Sequence, residues 1–133
     1  MVTPVNAGNR EAGQDLVEYA LTVLLFLALT TFILDGGRIL WNYVTLTEAT
    51  RSGARYATTH KDSTATDVRG KVVERSWGVD PTSLSVVKSC PLGCYLGETV
   101  WVTTTYQVKP LTNLVWPGMT FRLYAESAME IQN

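Results

Sequence analysis

From Tyr19 to Leu34 the chain is strongly apolar and no side chain is charged, and Leu16 and Val17 extend the run on the N-terminal side past the single acid Glu18. Apolar side chains fall at every angle of a helical wheel here, so this is not one face of an amphipathic soluble helix. With about 20 apolar residues needed to cross a bilayer, residues 16–34 predict a transmembrane helix. The sequence Asp35-Gly36-Gly37-Arg38 is not a stop, because apolar positions resume at Ile39, Leu40, Trp41, Tyr43, Val44 and Leu46. The helix is therefore expected to continue over 14–58, about 65 Å at 1.5 Å per residue, roughly twice the hydrocarbon thickness. Its second half must leave the membrane. There Glu48, Arg51 and Arg55 share one side, while Ala49, Gly53 and Ala57 form a stripe of small residues suited to close packing. Gly36-Gly37 is the expected weak point, at about 1 kcal/mol per glycine relative to alanine.

Polar residues from Thr58 to Thr66 predict a connection, and Thr64 with Asp67 three residues on has the form of a capping box that starts a second helix. Val68, Val72, Val73 and Trp77 are expected on its buried face, with Gly78 just past its end. Three segments then alternate with a period of two. In 84–90 the alternation is partial. In 99–108 it puts Val100, Val102, Tyr106 and Val108 on one face, and in 119–131 it puts Met119, Phe121, Leu123, Ala125, Met129 and Ile131 on one face. The pattern predicts an α+β protein in which a long N-terminal helix, its first half in the membrane, packs through its small-residue stripe on an antiparallel sheet of three or four strands, with one short extra helix. The stretch 109–118 is long enough to cross over a neighbouring strand, which leaves the strand order open.

Composition sharpens this picture. Of 133 residues, 46% are apolar and only 17% charged, and the mean hydropathy of +0.07 is high for a soluble domain. A net charge of −1 without a basic run removes the electrostatic footprint of a nucleic-acid binder. One histidine and two cysteines leave almost no material for a zinc site or a Cys/His pair, and no cofactor is implied. Asp35, Glu48, His60 and Asp80 are scattered over different elements at no spacing suited to acid–base work, so an enzyme is not expected. Pro91 and Gly93 between Cys90 and Cys94 favour a turn that brings the sulfurs together; a disulfide is expected there, with two free thiols as the alternative. Tyr95, Trp101, Tyr106, Trp116 and Tyr124 read as core or cross-strand aromatics rather than a ligand-stacking cluster.

Three spaced pieces, Gly13-Gln-Asp-Leu-Val-Glu18-Tyr-Ala-Leu, then Asp35-Gly-Gly-Arg38 behind the apolar run, then Ala49-Thr-Arg-Ser-Gly-Ala-Arg-Tyr-Ala57, resemble the TadE-like (TadE/TadF) pilin-related proteins of the tight adherence (Tad) type IV pilus system. The resemblance is close over 13–57 and elsewhere extends only to the order of elements. It implies a prepilin-type leader, 1–13, cut by a membrane prepilin peptidase between Gly13 and Gln14, with Glu18 as the acid used in assembly. It also implies a pseudopilin or minor pilin whose partners are the peptidase, other pilin-like subunits and Tad assembly proteins, and the lipid bilayer before assembly. The expected location is the inner membrane, spanned once, with 59–133 as an extracytoplasmic α+β part, or the extracellular pilus. A carboxylate within an apolar span costs about 2.5–3.5 kcal/mol, which the N-terminal amine of a neighbouring subunit would offset; alternatively Glu18 reaches the headgroups. The competing reading is an unprocessed single-pass protein whose exported domain binds a partner or ligand. Arg10 against Glu11 and Asp15 on one flank, and Arg38 on the other, mildly favour the orientation opposite to export.

Overall fold

A computed structural model of the chain describes residues 8–60, 62–111 and 118–131, with the side chains of 8–12 left aside. The predicted α+β arrangement is found. Helix α1 (Gly8–Thr59, 52 residues) is followed by α2 (Ala65–Arg75), a short 3-10 turn at Pro81–Ser83, and strands β1 (Leu84–Ser89), β2 (Thr99–Val108) and β3 (Phe121–Glu130). At 1.5 Å per residue α1 is about 78 Å long. It begins upstream of the expected start at Gln14 and passes through Gly36-Gly37 without interruption. The roughly 2 kcal/mol cost of two glycines is small beside the packing that fixes the helix just above them.

The sheet is antiparallel in the order β1-β2-β3, so each strand lies beside its sequence neighbour. Leu84 faces Tyr106 across the first ladder, and Tyr106 faces Leu123 across the second. The open question of a crossover after Lys109 is settled: the 109–120 connection returns β3 to the free edge of β2, although residues 112–117, with Trp116, lie outside the described residues. Beyond the ladder, Ile131 N–H donates to the Glu98 carbonyl at 2.8 Å and Gly97 N–H to the Ile131 carbonyl at 3.0 Å. This holds the buried Ile131 against the sheet.

The core sits between α1, α2 and one face of the sheet. Leu46, Ala49, Ala54 and Ala57 of α1 meet Val68 and Val72 of α2 and Val100, Val102, Tyr106, Val108, Ala125 and Ile131 of the sheet region. The small-residue stripe performs the expected role, since a Cβ on Gly53 would come within 2.6 Å of Val72 Cγ2, with Val102 of the sheet close behind. Thr104 is also on this inner face, fully buried, and its hydroxyl finds no hydrogen-bond partner.

The capping box at the start of α2 is complete. Asp67 N–H donates to Thr64 Oγ1 at 3.3 Å, while the Asp67 carboxylate accepts from Thr64 N–H at 2.8 Å. The helix ends earlier than the periodicity suggests, at Arg75 with Ser76 as its cap. Trp77 is therefore outside the helix, does not follow Val68 and Val72 inward, and is 81% exposed; Ser76 is buried in its place. Among the described aromatics of that set, Tyr106 is core, Trp101 and Tyr124 are exposed strand residues with cross-strand partners Ser89, Ala128 and Thr105, and Tyr95 is exposed outside the strands, which corrects the expectation for Tyr95. Met119 and Phe121 are exposed as well, at the strand's entry beyond the reach of α1 and α2.

Candidate functional site

Functional weight falls on α1, because its two halves have different surroundings. From Leu16 to Leu34 the large apolar side chains project into solvent, and none of the most apolar window of the helix is covered by the rest of the protein. Among the described residues this is the one helix long and apolar enough to cross a membrane. From Leu46 onward the same helix is buried on its sheet-facing side. Thr22, Thr30 and Thr31, polar residues within the apolar half, donate their hydroxyls to the carbonyls of Glu18, Phe26 and Leu27, so each hydroxyl is satisfied inside the helix.

The three residues expected to act in processing and assembly lie on the lower part of this helix. Gly13 and Gln14 are helical and exposed, with open space around the Gly13 Cα, and Glu18 is exposed one turn further on. Among the described residues nothing lies within 4 Å of a Cβ placed on Gly13. Cys90 and Cys94 do pair: the disulfide closes the turn after β1, with Cα atoms 5.4 Å apart. Gly93 is in the left-handed region at φ 102°, and its N–H donates to the Cys90 carbonyl at 3.1 Å. Any side chain at this position would run into the Tyr95 ring.

The side chains that might have carried acid–base chemistry are taken up locally. Glu48 pairs with Arg51 at 3.0 Å. His60 stacks on Tyr56 with ring centroids 4.3 Å apart, and its Nδ1 is 2.9 Å from Thr59 Oγ1. Asp80 accepts from Thr82 N–H at 2.9 Å and from the Thr82 hydroxyl, bonds that hold its carboxyl below the ordinary value. No group of three or more His, Cys, Asp or Glu side chains suited to a metal occurs among the described residues.

Asp35 has a role that sequence periodicity does not show. Although it directly follows the apolar run, it is only 5% exposed, and its Oδ1 accepts from the backbone N–H of Leu111 at 2.7 Å, with Arg38 4.0 Å away one turn up. The carboxylate ties the point where α1 leaves its apolar half to the connection between β2 and β3. A single acid at the end of an apolar run is the available signal, but its partner is 76 residues away in sequence and is a backbone group. Beside this tie a cleft of about 660 Å³ opens between α1 and the lower end of β2, bordered by Ile33, Leu34, Arg38, Trp41, Asn42 and Lys109.

The family model described as TadE-like protein matches residues 13–55. The match covers the exposed apolar half of α1, Asp35, and Ala49 and Gly53 of the small-residue stripe, and stops short of α2 and the sheet. Over residues 13–55 the chain is thus similar to the TadE-like family, in agreement with the resemblance read from its spaced motifs. No curated protein and no solved structure matches the chain.

Proposed function

We propose that the protein is a membrane-anchored, pilin-like subunit or assembly component of a Tad-type pilus, held in the bilayer by residues 16–34 and presenting the α+β part outside the cytoplasm. The observation that carries this reading is the unshielded apolar half of α1, continuous with the half that covers the sheet, within the segment that matches the TadE-like family. The chemistry is that of packing rather than catalysis. Lipid covers the Leu16–Leu34 surface first, and the equivalent segments of other subunits replace lipid on assembly, at little net cost because both environments are apolar. Removal of the leader by a prepilin peptidase leaves Gln14 as the first residue and places its amine a turn below the Glu18 carboxylate of the helix. The disulfide suits the oxidising side of the membrane.

One observation favours the unprocessed alternative. Helix α1 extends back to Gly8 across the Gly13–Gln14 bond, so cleavage requires about a turn of helix to open. The N-terminal mass of the protein, taken from membranes and from sheared surface material, separates the two readings. A chain beginning at Gln14 in both fractions is expected; an intact Met1 confined to the membrane contradicts processing and withdraws the roles given to Gly13, Gln14 and Glu18.

A further inference from the structure

Apolar side chains from three separate parts of the chain meet the level at which α1 leaves its apolar half. The bond from the Leu111 N–H to Asp35 Oδ1 ties the start of the β2–β3 connection to the first residue past Leu34. Phe121 faces Val108 at that end of the ladder, and Leu111, Met119 and Phe121 are all exposed. Trp41 branches from α1 about 10 Å above Leu34, but helical side chains lean toward the N-terminus, and its indole borders one cleft with Ile33 and Leu34. A Cβ on Gly78 would sit 4.0 Å from Trp41 Nε1, which puts the exposed Trp77 one residue away from the Trp41 indole. Exposure alone does not choose what covers these groups, since Leu92, Tyr95 and Leu96 are exposed at the opposite end of the sheet. Height does. A helix that spans the hydrocarbon with residues 16–34 brings Leu111 and the Trp41 indole to the headgroup layer, which is about 5–7 Å thick on each side.

We propose that this end of the folded part is a second membrane contact, resting in the headgroup layer of the leaflet from which α1 emerges. Trp41 and Trp77 are its interfacial anchors, because an indole combines an apolar body with an N–H that stays hydrated at the headgroups. Leu111, Met119 and Phe121 add apolar surface beside them. The charges at this level cancel: Asp35 is 4.0 Å from Arg38, and Lys109 is near enough to act on the Asp80 carboxylate. Apolar and aromatic side chains therefore drive the contact, and a zwitterionic phosphatidylcholine surface suffices. Because Trp77 belongs to the turn after α2 and not to α1, the contact fixes the folded part at a point off the helix axis and stops it from swivelling about a single anchor. The proposal rests on the membrane-anchored reading above.

The test uses the full chain in phosphatidylcholine liposomes, in three single-tryptophan versions that keep Trp41, Trp77 or Trp101 and change the other native tryptophans to phenylalanine, each with the circular dichroism of the parent. Emission is quenched from the lipid side by phosphatidylcholine brominated near the top of its acyl chains, and from the water side by iodide present on both faces. Trp101 is the reference, seven residues up β2 from Val108 and so about 23 Å further along the strand from the bilayer. Bromolipid should quench Trp41 and Trp77 about threefold or more above Trp101, with iodide ranking them in the reverse order. Bromolipid quenching of Trp77 no greater than that of Trp101 overturns the proposal, and so does quenching of Trp41 alone, which confines the contact to the helix. Protection of Trp77 from iodide without bromolipid quenching also overturns it, and means that protein covers this end instead. A further chain, Leu25→Trp with all four native tryptophans changed to phenylalanine, separates the two levels of failure. Quenching in Leu25→Trp but not at Trp77 refutes the surface alone, and a Leu25→Trp chain that bromolipid does not reach refutes the anchor and the surface together.

Discussion

The two halves of helix α1 both carry apolar side chains and put them to opposite uses. Leu25 in the lower half is 70% exposed, whereas Leu46 in the upper half is 0% exposed. The difference follows from what surrounds each leucine. Below Asp35 large apolar side chains cover every angle of the helix, so no single protein face could bury them, and only a solvent that is apolar on all sides satisfies them. Above Leu46 large residues give way on one side to Ala49, Gly53, Ala54 and Ala57, which let the backbone approach Val72 and Val102. A helix thus specifies its environment by the angular distribution of residue size as well as by hydrophobicity.

The comparison is broken most severely at its closest contact. Gly53→Leu forces a side chain into the space of Val72 and Val68, and the folded part should lose about 3 kcal/mol or more, read by chemical denaturation of the full chain in detergent. Gly53→Ala should cost less, because alanine returns about 1 kcal/mol of helix propensity, and adding Val72→Ala should relieve the remaining clash in a double-mutant cycle. The same chemical change in both halves sharpens the contrast next. Leu46→Ala should cost about 3 kcal/mol through lost burial and the cavity it leaves, while Leu25→Ala should change unfolding of the folded part by less than about 0.5 kcal/mol. Equal losses at the two positions would mean that the lower half is packed against protein.

Smaller effects are confined to the folded part. Replacing Cys90 and Cys94 together by serine opens a short loop and should lower stability by about 2 kcal/mol in the chain-entropy view, with no effect on retention in membranes. Thr64→Ala removes the α2 cap and should cost about 1 kcal/mol. The same cap gives a pH dependence of known sign. The Thr64 hydroxyl and Thr64 N–H hold the Asp67 carboxyl below its ordinary value of 3.8, so its contribution is present above that value and is lost as pH falls through the lowered one. Unfolding midpoints followed from pH 6 down to 2.5 should therefore fall less steeply in Asp67→Asn than in the parent, and parallel curves would remove Asp67 from the acid response.

Much of this arrangement is legible in the residues. The bounds of β2, the Thr64–Asp67 box, the small-residue stripe and the paired cysteines all follow from short-range rules, because each is fixed by neighbours within a few positions. What escapes is set by distant partners. The burial of Asp35 depends on the Leu111 N–H and the outward turn of Trp77 on a helix that stops at Arg75, neither of which periodicity reports. The strand order depends on where the 109–120 connection returns, and its length permits either route. On the candidate site, the cysteine turn is visible in advance, while the cleft is not, since its walls come from α1, the turn after α2 and the end of β2.

The most direct measurement is a scan of single spin labels along residues 16–44 of the full chain in liposomes, reading collision with oxygen against a water-soluble nickel complex. Oxygen should dominate at every position of 16–34, with nickel access rising through 35–38 and appearing at Leu40, Tyr43 and Val44 on the outer side of the helix. Nickel access that recurs every three to four residues within 16–34 would show one wet face there, and would contradict a helix that changes solvent at Asp35.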